Sequence, residues 1–284
     1  MYTRFMVAHN SIRHRLVLLH GITATSHSLK QSGEILRDLL QADEVVLPDL
    51  PFHGAGEQLP SYKVPHMLEW LSALVADSLT DCEHLTIIAH SYSAALLLLW
   101  AQAQSKSLEN VECIAIAPPL RITRVARQLS QAISMLPKRL SWHTFAGPSI
   151  KPFLQTHISA YPRRKLDRDR IYASTKHDDN SYERYVVQVQ MNTNLYEHLE
   201  RHPITEIHAP TLLLLCGKDL VVDSPRLARE LIDQGHELLH IRYVSNSGHL
   251  LISQDPERLV RIIHEWQQLK HSEQADYLKA ASSV

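Results

Sequence analysis

Three residues of this chain stand where acyl-transfer chemistry would need them. The first is Ser91, in Leu85-Thr-Ile-Ile-Ala-His-Ser91-Tyr-Ser-Ala-Ala-Leu96. An apolar, strand-like run enters the serine and an apolar, helix-like run leaves it. A sharp strand-to-helix turn of this kind, a nucleophile elbow, strains its serine and exposes Oγ. Small residues are needed two before and two after, because the turn brings their Cβ positions close to neighbouring backbone. Here they are Ala89 and Ser93 instead of the usual glycines. Ser91-Tyr92-Ser93-Ala94-Ala95 also reads small-x-Ser-x-small, which would move the elbow to Ser93. The apolar strand ends at Ala89, which favours Ser91. Alone, the pattern also fits a plain turn with a serine helix cap.

The second residue is Asp219, in Leu212-Leu-Leu-Leu-Cys-Gly217-Lys-Asp219-Leu-Val-Val-Asp223-Ser-Pro225. A carboxylate just after a buried strand can orient a histidine through Nδ1–H and stabilise its imidazolium. Asp219 is the first choice and Asp223 the reserve, since Asp223 also suits a helix cap. The third is His249, in Tyr243-Val-Ser-Asn-Ser-Gly248-His249. An imidazole can act as general base and then general acid near pH 7. One histidine among 19 says little, but this one follows a strand and precedes a helix. A fourth signal is Leu16-Val-Leu-Leu-His20-Gly21-Ile22. The loop after such a strand can offer a backbone N–H to an oxyanion, here Ile22, together with the N–H of Tyr92 after the nucleophile.

The elements that must hold these residues can be read from hydropathy. Apolar runs cover Leu16–Leu19, Glu44–Leu47, Leu85–Ala89, Val111–Ala117, Thr211–Leu215 and Leu239–Val244. Most are continuous, as in strands buried on both faces of a parallel sheet. Helical patterns lie between them at Ser28–Leu40, Val64–Leu79, Ser93–Gln104, Pro225–Asp233 and Pro256–Lys270. This alternation predicts a doubly wound, mostly parallel α/β sheet. Its ligands would bind beyond the carboxyl ends of the strands. Between about Pro118 and Ala209 the alternation stops, and 14 basic residues face 8 acidic ones. Helices at Thr123–Met135 and Tyr182–Leu199 suit this stretch, which reads as a helical insertion. The expected division is a core of 1–118 and 209–271, an insertion of 119–208, and a loosely held tail of 272–284.

Composition narrows the function classes. The 284 residues carry a formal net charge of −1, are 44% hydrophobic and 21% charged, as in ordinary globular proteins. A globally basic nucleic-acid binder is disfavoured. Cys82, Cys113 and Cys216 are too far apart for a CxxC site and read as buried free thiols. His198 and His202 are four apart, but His-Leu-Glu-Arg-His is not H-E-x-x-H, so no metal is expected. There is no G-x-G-x-x-G and no P-loop, so no nucleotide cofactor is indicated. No apolar run approaches the ~20 residues of a membrane span, and the first ten residues lack a signal-peptide core. A cytoplasmic location is the expectation.

The order Ser91, Asp219, His249, with His20-Gly21 upstream, resembles the α/β-hydrolase superfamily across about residues 3–270. Pro48-Asp49-Leu50-Pro51-Phe52-His53-Gly54-Ala55-Gly56 resembles the family's D-x-P-G-H-G-x-S, with Phe52 and Gly56 departing from it. His208-Ala-Pro-Thr-Leu212 resembles the lead-in to the acid-bearing strand. Gly21, Gly54, Gly217 and Gly248, four of only eight glycines, fall in these motif loops. The resemblance implies an α/β-hydrolase fold whose insertion, after the sixth strand, is a helical cap roofing the serine. It implies a serine hydrolase acting on a small carboxylic ester or thioester through an acyl-enzyme, with no cofactor. The alternatives are C–C bond hydrolysis or a lyase reaction by the same triad and, third, a non-catalytic ligand-binding member. The basic run Pro162–Arg170 could meet an acidic acyl carrier or be an ordinary solvated face.

Overall fold

Runs of Leu, Val and Ile can be buried on both faces of a sheet, and here they are. The computed structural model describes residues 3–6, 12–105, 108–128, 181–233 and 237–281. Among these, the strands are β1 (Thr3–Met6), β2 (Ile12–Leu19), β3 (Glu44–Leu47), β4 (Cys82–His90), β5 (Val111–Ile116), β6 (Thr211–Cys216) and β7 (Leu239–Val244). They form one sheet in the order β1-β3-β2-β4-β5-β6-β7. β1 runs antiparallel to β3; all other pairs are parallel. Every residue of β3, β5 and β6 is buried, as continuous apolar runs predict.

The helices are α1 (Lys30–Leu40), α2 (Val64–Leu79), α3 (Tyr92–Ala103), α4 (Tyr182–Arg201), α5 (Ser224–Ile232), the short α6 (Leu251–Gln254) and α7 (Pro256–Ala281). α3 is apolar all round, and Tyr92 to Ala101 are all buried. A helix of that kind belongs in the interior, not at the surface. It therefore fixes the residue before it, Ser91, firmly to the core.

Three expectations need adjustment. The edge strand β1 was not anticipated. The insertion follows the fifth described strand, not a sixth. The segment read as a tail continues α7 to Ala281, because Glu, Gln, Ala, Leu and Lys all favour helix. Of the expected insertion, 129–180 and with it the run Pro162–Arg170 lie outside the described residues; α4 lies within them. No helix of the described residues is long and apolar enough to cross a membrane.

Candidate active site

From β2 the chain moves outward to β3, then crosses back to β4 on the other side. The crevice between the carboxyl ends of β2 and β4 is thus a topological switch point, where such sheets bind ligands. Leu19 pairs with Ala89, and His90 with Ile116, so the strands end level with one another. Ser91 stands immediately beyond. Its N–H still continues the sheet, donating to the Ile116 carbonyl at 2.8 Å, while its own carbonyl accepts from Ala95 N–H at 3.1 Å as the helix begins. One residue must therefore turn from strand to helix, and Ser91 does so at φ 56°, ψ −117°. Positive φ is strained for a side chain with a Cβ, and a cost of about 1–3 kcal/mol persists only where surroundings enforce it. β4 and the buried α3 are those surroundings.

The three chemically capable side chains meet here. His249 Nε2 lies 3.0 Å from Ser91 Oγ, and His249 Nδ1 lies 2.8 Å from Asp219 Oδ2. All three are buried. The other Asp219 oxygen, Oδ1, accepts the N–H groups of Val221 (2.7 Å) and Val222 (3.0 Å). Burial alone would raise the Asp219 pKa. His249 and the two backbone donors outweigh it and hold the carboxyl below its ordinary value. An ionised Asp219 can only accept, so His249 Nδ1 carries the proton. Nε2 then presents a lone pair to the serine hydroxyl. Asp223, the reserve acid, instead caps α5, accepting from Arg226 N–H at 3.3 Å.

The loop after β2 comes close to the serine. A Cβ on Gly21 would stand 3.2 Å from Ser91 Cβ and 3.2 Å from His90 Nδ1, so glycine lets this loop approach the elbow. His20 is buried and fixed at both nitrogens. Nε2 accepts the Leu50 N–H at 3.0 Å, so Nδ1 is the protonated nitrogen and donates to Gly21 O at 2.8 Å. Asp49 gathers the neighbouring loops, accepting from Ser26 N–H (2.6 Å) and Ala55 N–H (2.7 Å). A Cβ on Gly56 would run into Leu50 O, so no larger residue fits this fold of the loop. Ile22 follows Gly21 directly. Tyr92 heads α3, so no helical carbonyl is available to its N–H.

The sequence left Ser93 open as a second nucleophile position. The structure places it fully buried, its hydroxyl 2.9 Å from Leu19 O and 3.0 Å from His90 O, and accepting the His90 N–H at 3.1 Å. Its hydroxyl is engaged in tying the elbow to β2, and His249 faces Ser91. Sequence reasoning passed over His90, whose ring donates Nε2–H to the His249 carbonyl at 2.8 Å. That contact joins residues 159 apart, and nothing in the local pattern announces it.

A family model described as the alpha/beta hydrolase family matches residues 16–262. No curated protein matches the sequence significantly. Among solved structures, the enol-lactonase from Burkholderia xenovorans LB400 is similar at TM-score 0.67 and 14% identity, covering 94% of this chain and 96% of that one. The monoacylglycerol lipase of Paleococcus ferrophilus is similar at TM-score 0.63 and 18% identity, over 94% and 97%. MenH from S. aureus is similar at TM-score 0.61 and 15% identity, over 95% and 98%. At these identities the likeness is one of fold.

Proposed function

Because the chain belongs to the alpha/beta hydrolase family, we propose that it is a serine hydrolase cleaving a carboxylic ester or thioester through an acyl-enzyme. The observation that carries the reading is the unbroken relay from Asp219 to His249 (2.8 Å) to Ser91 (3.0 Å) on a strained elbow. The fold relatives named as a lipase and an enol-lactonase support the ester class.

Ser91 Oγ attacks the acyl carbon while His249 Nε2 takes the hydroxyl proton. Asp219 keeps the proton on Nδ1 and stabilises the imidazolium. Ile22 and Tyr92 N–H groups hold the oxyanion, each such donor typically contributing about 2.7–4 kcal/mol. His249 passes the proton to the departing alcohol or thiol. Water, activated by the same His249, then releases the acid and restores Ser91.

The test is a panel of p-nitrophenyl esters and acyl thioesters of graded chain length. The wild-type chain turns over members of the panel; Ser91→Ala loses at least about 10³-fold in kcat with its melting temperature retained. Turnover by Ser91→Ala equal to wild type would sink the reading. A wild type inactive on the whole panel but active on a carbon acid would replace ester chemistry by C–C cleavage.

A further inference from the structure

We propose that His90 is a positioning residue for the general base: its Nε2–H holds the peptide carbonyl of His249, and so sets where that ring stands over Ser91. The proposal rests on the serine-hydrolase reading and deepens it.

His90 is the residue of the elbow just before Ser91, covalently joined to it, and is buried. Its backbone is fixed by pairing with Ile116 in β5 and by Ser93 Oγ, which accepts its N–H at 3.1 Å. Its Nε2 lies 2.8 Å from His249 O. A carbonyl only accepts, so Nε2 carries the proton and Nδ1 is bare. Nδ1 faces Gly21, where a Cβ would come within 3.2 Å of it. The two imidazoles stand 4.9 Å apart, centroid to centroid, tilted by 59°. Burial first, and then the charge on His249, press the His90 pKa down to about 3. The ring therefore stays neutral beside the imidazolium that His249 becomes during turnover.

The consequence is geometric. Nucleophile and base are both referred to one peptide unit: Ser91 by its covalent bond to His90, His249 by a hydrogen bond to the His90 ring. The loop carrying His249 is otherwise tied at its neighbours: upstream through Ser247 O to Lys218 N–H (2.9 Å) and Asn246 O to Arg258 Nη1 (3.1 Å), and downstream through Leu250 O to the N–H groups of Ser253 (3.1 Å) and Gln254 (2.9 Å). Without the His90 bond, the His249 peptide carbonyl loses this anchor, and the imidazole can turn about its Nδ1 contact with Asp219. The Nε2 to Oγ distance is then no longer held.

Gln places its amide nitrogen where Nε2 of a histidine stands; Asn reaches only as far as Nδ1. The full chain is compared as wild type, His90→Gln, His90→Asn and His90→Phe. The readouts are the rate of fluorophosphonate labelling, kcat and KM on one ester, and melting temperature. His90→Gln stays close to wild type. His90→Asn and His90→Phe lose about tenfold in labelling rate and kcat, the worth of one neutral hydrogen bond, with KM unchanged. Equal labelling in all four proteins overturns the proposal. So does an equal loss in Gln and Asn that follows melting temperature, since that is what a merely structural side chain gives. A folded wild type that does not label overturns the reading of the site itself, a distinguishable failure. A further readout needs no variant: ¹⁵N shifts of the wild-type histidines place His90 as the Nε2–H tautomer through neutral pH, and an Nδ1–H tautomer overturns the proposal.

Discussion

Asp219→Asn is the perturbation whose outcome follows most closely from the geometry. The N–H groups of Val221 and Val222 both point at Oδ1, at 2.7 and 3.0 Å, and both can only donate. The oxygen of the introduced amide must occupy that place. Its NH2 then faces His249 Nδ1, which stands 2.8 Å from Oδ2 in the wild-type chain. An NH2 also only donates, so Nδ1 must offer its lone pair and the ring proton moves to Nε2. That nitrogen faces Ser91 Oγ at 3.0 Å and can no longer take its proton. The flipped amide sets NH2 against two donors, Val222 buried and Val221 partly so, at about 1–3 kcal/mol for a buried group left unsatisfied. The blocked tautomer therefore dominates. In serine-protease triads the corresponding exchange leaves the geometry intact and lowers kcat about 10⁴-fold, or about 5 kcal/mol of barrier. The assay is kcat on a chromogenic ester for both proteins, with melting temperature as the control for folding. A folded variant that keeps more than about a tenth of wild-type kcat refutes the tautomer argument.

Further perturbations separate structural from chemical roles. Ser93→Ala removes a donor to Leu19 O and an acceptor for His90 N–H; it costs about 1–3 kcal/mol in denaturant unfolding and keeps Ser91 reactive. If Ser93→Ala instead abolishes activity on a folded chain, the elbow belongs two residues later. Gly56→Ala drives a Cβ into Leu50 O, a clash with backbone, and destabilises by more than about 3 kcal/mol; an unchanged unfolding midpoint contradicts the loop geometry. Stability also falls on mild acidification. His14 is partly buried and His90 buried, with pKa values lowered to about 4 and about 3, desolvation being the first cause in each. Near the ordinary histidine value the unfolded chain binds protons that the native chain refuses. Their contribution is complete above pH ~6.5 and is lost as pH falls toward 4, with a slope of up to about 3 kcal/mol per pH unit for the two together. Asp219, whose pKa is depressed, adds stability above its ordinary value of 3.8 and loses it only below that. A denaturant midpoint that stays flat between pH 4.5 and 6.5 contradicts the desolvation of the two imidazoles.

What the sequence disclosed depended on how local each signal was. β3 appears with the bounds read from hydropathy, because a run buried on both faces is apolar at nearly every position. β7 does as well, although at its edge of the sheet it exposes Arg242 and Tyr243. α2 likewise spans Val64–Leu79, opened by a proline in its first turn. β1 escaped notice because it is four residues long and lies at an edge, where apolar continuity is not required. The helix read as starting at Ser93 starts at Tyr92, since Ser91 alone makes the turn. The order Ser91, Asp219, His249 was legible because each residue follows a strand. The clasp of His90 on His249 was not, since it depends on two loops meeting across the sheet.

The central claim is that Ser91 is an activated nucleophile, and labelling the full chain with a small fluorophosphonate tests it most directly. Intact mass counts the adducts and peptide mapping places them. The account predicts one adduct, on Ser91, absent from a Ser91→Ala variant of equal melting temperature. An adduct on Ser93, or none on the folded wild-type chain, contradicts it.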